Sequence, residues 1–107
     1  MIKVMLVCGG GASSGFLATS MRKAARKSGI TMDIFARSES EINSFKDEID
    51  VLLVGPHLQY LMNEITEKLV GTKVKVSIIE NDIYGSLDGV RAVDKVMKLL
   101  EKEENNE

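Results

Sequence analysis

The only cysteine of this 107-residue chain opens a run of small residues, Cys8-Gly9-Gly10-Gly11-Ala12-Ser13-Ser14-Gly15. The apolar stretch Ile2-Lys3-Val4-Met5-Leu6-Val7 precedes it, and a helical pattern beginning near Phe16 follows. Cys8 thus falls where a strand gives way to a loop. Successive backbone N–H groups of such a loop, with the N-terminus of the next helix, form a concavity suited to an anion. The same field favours the thiolate, which is the nucleophilic form of cysteine. A lone cysteine at a strand end is commonly just a small buried hydrophobe. Three consecutive glycines weigh against that here, because they cost chain entropy that an ordinary strand-to-helix turn does not require. They suit backbone that approaches a ligand closely. A cysteine that carries a phosphoryl group is the chemistry these residues best fit.

Other glycine-rich chemistries fit less well. Gly9 to Ser14 fails the dinucleotide pattern G-x-G-x-x-G at its last position, and Gly15 is followed by Phe16 rather than the Lys-Ser or Lys-Thr of a P-loop. A flavin site of flavodoxin type, within a non-catalytic nucleotide- or flavin-binding module, would draw on the same loop, but the chain lacks tryptophan. A sharper alternative is a cysteine phosphatase of the low-molecular-weight type, whose signature is a cysteine, five residues and an arginine. The sixth residue after Cys8 is Ser14, and no Lys or Arg lies between Cys8 and Gly15. Hydrolysis of a phosphocysteine calls for a cation on the transferring group and a placed general acid. The loop offers amides and two hydroxyls, so it reads as a carrier rather than a hydrolase.

The elements around the loop alternate. Residues 2–7 form an apolar strand buried on both faces. A helix then presents Phe16, Leu17, Met21, Ala24 and Ala25 inward and Arg22, Lys23, Arg26 and Lys27 outward, with Ser13 or Ser14 as N-cap and Gly29 as its stop. Residues 31–36 read as a strand nearer an edge, since Asp33 interrupts it. A weaker helix spans Ser38 to Phe45. The strand Asp50–Val54 ends at Gly55-Pro56, where proline suits the first turn of a helix carrying Leu58, Leu61, Met62, Ile65 and Leu69, with Gly71 closing it. A fourth strand spans 74–79, Asn81–Gly85 reads as a turn-rich loop, and a last helix from about Asp88 points Val90, Val93, Met97 and Leu100 inward. The order β-α-β-α-β-α-β-α implies an α/β fold of three layers: a four-stranded parallel sheet, order 2-1-3-4, with helices on both faces. Strand 1 is then central, and Cys8, Gly55-Pro56-His57 and Glu80-Asn81-Asp82 meet at the carboxyl edge where such sheets bind ligands.

Composition narrows the function further. A net charge of −2 with interspersed basic residues gives no global attraction to nucleic acid. No apolar run approaches the roughly 20 residues of a membrane span, and Met1-Ile2-Lys3 leads straight into a strand without room for a signal peptide. One cysteine cannot form an internal disulfide, and one cysteine with one histidine makes a structural zinc site a poor fit. The chain reads as cytoplasmic, without metal or cofactor. Residues 1–100 make one domain, and 101–107 a polar, acidic tail expected to fray.

Val7-Cys8 with its small-residue loop, Gly55-Pro56-x-x-x-Tyr60 and Asp82-x-Tyr84-Gly85-x-x-Asp88-Gly89 resemble the lactose/cellobiose-type enzyme IIB, the cytoplasmic B component of the bacterial phosphoenolpyruvate-dependent sugar phosphotransferase system. The resemblance covers about residues 2–100. It implies that Cys8 accepts a phosphoryl group from a histidine of enzyme IIA and passes it to a sugar held by the membrane component, enzyme IIC. It also implies that Gly9, Gly10, Gly11, Ala12, Ser13, Ser14 and Gly15 cradle the phosphate. Docking to such partners is brief, so a monomer with small transient interfaces is expected. The family usually carries serine, alanine or methionine where this chain has Gly9 to Ala12, and glutamine where it has His57. A cationic histidine is disfavoured in the first turn of a helix, so His57 reads as an exposed polar neighbour of the site. Pro56, Asp82, Tyr84 and Asp88 read as loop-shaping or docking residues.

Overall fold

Ile2–Val7 (β1) takes the interior place that a run apolar at every position but Lys3 requires, in a sheet of order β2-β1-β3-β4. The computed structural model describes residues 1–7 and 12–105, the side chains of 12–14 and 102–105 excepted. β2 (Met32–Arg37), β3 (Val51–Val54) and β4 (Lys75–Ile78) complete the sheet, and every pairing is parallel. The expected order and the edge position of β2 are both found. Side chains alternate across the pleat, so one layer buries Val4, Leu6, Val51 and Leu53 and the other Met5, Val7, Leu52 and Val54. The first packs against α1 (Ala12–Lys27) and α5 (Gly89–Asn105) through Leu17, Ala18, Met21, Ala92, Val93 and Val96. The second packs against Ile42, Ile49, Leu58, Ile65 and Leu69.

Several local expectations are corrected. α1 begins at Ala12 rather than near Phe16, so Ser13 and Ser14 lie within its first turn and not at the N-cap position. Its inward stripe is Leu17, Ala18, Met21, Ala24 and Ala25, one position out of phase with Phe16, which is 63% exposed. Gly29, at φ 72°, ends the helix as expected. Ser38 does form a capping box with Glu41, over the 3-10 turn Glu39–Glu41 and the short α2 (Ile42–Phe45). The helix expected after Pro56 is split into a 3-10 segment, Pro56–Leu61, and α3 (Met62–Lys68). Leu58 leaves helical geometry to reach the core, so the apolar spacing marked the right face but not one continuous helix. Asn81–Ser86 is α4 rather than a loop: burial of Ile83 overrides the turn-forming Asn81, Asp82 and Gly85. Leu87, in the left-handed region at φ 54°, ends it. Val90 is 70% exposed, not inward, while Ala92, Val93 and Val96 carry the contact. The acidic segment after Glu101 is helical as far as Asn105. Among the described residues no helix is long and apolar enough to cross a membrane.

At the edge of the sheet opposite the Val7 end of β1, Asp50 ties three strands together. Its carboxylate accepts from the Lys3 N–H at 2.9 Å and from Lys73 Nζ at 3.1 Å, and its carbonyl accepts from the Lys75 N–H at 3.0 Å. Burial pushes this carboxyl up, but the Lys3 amide and Lys73 outweigh it and hold it below the ordinary value of 3.8. Its contribution is therefore complete above that value and fades as pH falls through the depressed folded pKa. Asp50→Ala strands the half-buried Lys3 N–H and is expected to cost about 1–3 kcal/mol. Urea melts of both proteins check it: the difference should shrink as the pH is lowered below about 4.

Candidate functional site

Three strand ends converge where the sequence places them. The Gly55 N–H donates to the Val7 carbonyl at 2.9 Å, and the Ile79 N–H donates to the Val54 carbonyl at 2.8 Å. The segments leaving β1, β3 and β4 therefore start side by side. Cys8, Gly9, Gly10 and Gly11 lie outside the described residues; the chain re-enters at Ala12, where α1 begins. Ala12, Ser13, Ser14 and Gly15 thus form the first turn of a sixteen-residue helix, whose free amides and dipole attract an anion.

The flanking segments are held by specific contacts. Gly55 is buried and extended, Pro56 opens the 3-10 segment as expected, and the Leu58 N–H donates to the Gly55 carbonyl at 3.0 Å. His57 is exposed, as expected, with its ring 5.5 Å from that of half-buried Tyr84. This pair ties the segment after β3 to α4. Tyr84 leans on the core layer shared with α1. Asp82 pairs with Arg91 Nη1 at 2.6 Å, and that hydrogen bond holds its carboxyl below the usual range. Glu80 meets Lys95 at 3.2 Å; burial raises its carboxyl, but backbone and Lys95 hydrogen bonds leave it lowered. Asp88 caps α5, its carboxylate accepting from the Arg91 N–H at 3.1 Å. The next residue, Gly89, lies directly on the backbone of Ser20 and Met21, where a Cβ would come within 2.3 Å of the Ser20 carbonyl. Asp82, Tyr84 and Asp88 thus shape the corner between α4 and α5, and that corner is pinned to α1.

Sequence reasoning missed the Asp82–Arg91 and Glu80–Lys95 pairs, because each joins residues in separate elements whose angle no spacing reveals. Both cations are thereby occupied. They also line a groove of about 690 Å³ beside β4 and α5, together with Lys98, itself paired with Asp94 at 3.1 Å. Among the described residues, no group of three or more His, Cys, Asp or Glu could hold a metal ion.

The family model described as the PTS system, lactose/cellobiose-specific IIB subunit, matches residues 3–95. The chain belongs to this family. It is therefore a sugar-specific IIB component, part of the phosphotransferase machinery that works with the other components of that system. It is 27% identical over 100 residues to the oligo-beta-mannoside-specific EIIB component of Bacillus subtilis, covering 94% of this chain and 97% of that protein. It is 31% identical over 103 residues to the galactose-specific EIIB component of Lactococcus lactis subsp. cremoris, covering 92% of each. The cellobiose-specific EIIB component of Lactococcus lactis subsp. lactis matches to the same extent. The solution structure of a cellobiose-specific IIB component from Borrelia burgdorferi superposes with TM-score 0.72 at 28% identity, over 98% of this chain and 93% of that one. The lactose-specific IIB domain of Streptococcus pneumoniae shares the fold, with TM-score 0.82 at 15% identity over 91% and 95% of the two chains.

Proposed function

We propose that this IIB component carries the phosphoryl group on Cys8, taking it from a phosphohistidine of enzyme IIA and delivering it to a sugar held by membrane enzyme IIC. The observation that carries the reading is the position of the lone cysteine. It directly follows Val7, the end of the central strand, and α1 opens four residues later. In the first step the Cys8 thiolate attacks phosphorus in line. The S–P bond forms, the N–P bond breaks, and the donor imidazole leaves with the electron pair and takes a proton. In the second step a sugar hydroxyl attacks the same phosphorus and loses its proton, while the S–P bond breaks and the thiolate is restored. The amides of residues 9–15 neutralise the phosphoryl oxygens throughout. No cofactor takes part, and the exchange takes place in the cytoplasm.

Several features support a carrier over a hydrolase. Residues 8–15 contain no Lys or Arg. Arg91 and Lys95, on α5, are already paired with Asp82 and Glu80. Arg37, which ends β2 in register with Val7, lays its guanidinium over the Phe35 and Phe45 rings, so the loop's own sequence lacks the cation that a phosphocysteine phosphatase turns on its transferring group. The test is incubation with phosphorylated enzyme IIA followed by intact mass measurement. One phosphoryl adduct, stable in acid and lost on iodine treatment, is expected. A protein that gains no such mass from a competent donor, or that steadily hydrolyses the adduct to free phosphate, refutes the carrier role.

A further inference from the structure

Helix α1 holds four of the fourteen basic residues and none of the sixteen acidic ones. Arg22, Lys23, Arg26 and Lys27 are all exposed. Helical spacing puts Phe16, Lys23 and Lys27 on one line, with Arg26 and Arg22 to one side of it. Elsewhere Lys68, Lys73, Arg91, Lys95 and Lys98 each meet a carboxylate and Arg37 lies over the Phe35 and Phe45 rings, while Lys3 and Lys46 stand singly in separate segments rather than as a cluster. Lys23, Arg26 and Lys27 have no such partner among the described residues. Asp33 is the acid that shares a groove with Arg22 and Arg26. Arg26 and Lys27 suit the C-terminal dipole of the helix, but that reason does not extend to Lys23, which lies a turn earlier. Phe16, 63% exposed, adds an aromatic at the end of the stripe nearest Cys8.

We propose that the outer face of α1 docks on an anionic phospholipid surface, holding this IIB component against the membrane in which its acceptor resides. The stripe from Phe16 to Lys27 runs about 16 Å along the helix, away from the site. A small partner docked over Cys8 reaches the Phe16 end, whereas a flat anionic surface meets the whole length at once. The apolar side of α1 is buried in the core, so the contact is electrostatic with one aromatic at its rim, and readily reversible. A carrier that alternates between two partners needs that reversibility. The location of the acceptor is taken from the proposed function, but vesicle binding requires no phosphoryl group, so failure of either idea leaves the other standing.

The test is co-flotation of the full chain with vesicles of phosphatidylglycerol and phosphatidylcholine, or of phosphatidylcholine alone. Wild type is expected to partition onto the anionic vesicles only, and to be released when ionic strength rises from about 0.05 M to about 0.5 M. Each basic residue near such a surface contributes about fivefold to partition, so Lys23→Gln with Arg26→Gln and Lys27→Gln should lower it about a hundredfold. Lys23→Gln alone should lower it about fivefold, and covers the case in which the triple variant folds poorly. No retention of wild type on anionic vesicles at low salt overturns the proposal, as does equal retention of the variants. So does a variant that keeps vesicle binding but gains phosphate slowly from enzyme IIA in vesicle-free solution, which assigns the face to a protein.

Discussion

Gly89→Ala is expected to destabilise the domain by about 2–3 kcal/mol, lowering the melting temperature by about 10 °C or more. The added methyl would come within 2.3 Å of the Ser20 carbonyl carbon and oxygen and 2.7 Å of the Met21 nitrogen. These are backbone atoms in the middle of α1 and cannot swing aside as a side chain would, so α5 has to move off. Because α4 and its Asp82 and Tyr84 are joined to α5 through Leu87 and Asp88, the displacement reaches the segment beside the site, and phosphoryl uptake should slow as well. The same substitution at Gly15 provides the control. A Cβ there meets nothing within 4 Å, and Gly15 lies inside α1, so Gly15→Ala should stabilise by about 0.5–1 kcal/mol. Thermal melts of the two variants with opposite signs would establish that close helix contact, not loss of glycine as such, sets the effect at Gly89. Equal and small shifts would refute it.

Cys8→Ser is expected to reduce phosphoryl uptake from enzyme IIA at least about a thousandfold. A serine hydroxyl ionises far above neutral pH, and neither a helix N-terminus nor a row of amides brings it within reach. His57→Gln, in contrast, should leave uptake within a few-fold of wild type, well short of the roughly hundredfold expected from loss of a general acid or base. Its ring lies against Tyr84, a contact that orders the neighbouring segments and involves no proton transfer. Quench-flow measurement of the protein-bound phosphoryl group for the three proteins separates these roles. Retained uptake in Cys8→Ser together with loss in His57→Gln would move the carrier function from the cysteine to the histidine.

What could be read in advance divides along physical lines. Val4–Val7 and Val51–Val54 are continuous apolar runs, the second bounded by Asp50 and Gly55, and such runs have one home, the middle of a covered parallel sheet. Asp33 marked β2 as an edge. The chain is also too short for more than four strands, so order 2-1-3-4 was within reach. Phase was harder. Phe16 and Val90 each sit one residue from an inward position, and an apolar side chain at a helix end does not reveal which way it will turn. Asn81 to Gly85 carry turn chemistry, and only the burial of Ile83, which depends on the sheet beneath it, makes them helical. The site was legible to the level of strand ends. That Gly55 and Ile79 bond back to Val7 and Val54 follows from parallel register, whereas the pairing of Asp82 with Arg91 depends on a corner between helices. Gly89 stood out as part of a motif, but its reason, contact with the Ser20 backbone, lies about seventy residues away in sequence.

Arg22 differs from the other cations of α1. Its Nε donates to the Ile34 carbonyl at 2.9 Å. The Ile2 N–H bonds to the Thr31 carbonyl, so the odd-numbered residues of β2 face β1 and the Ile34 carbonyl points out from the open side of the sheet. An open strand of this kind is a template on which a foreign strand can pair. With the guanidinium laid over its middle, an incoming chain would have to displace a charged group before forming its first backbone bond. A component that works together with the others of its system is thereby guarded against the kind of strand pairing that does not let go.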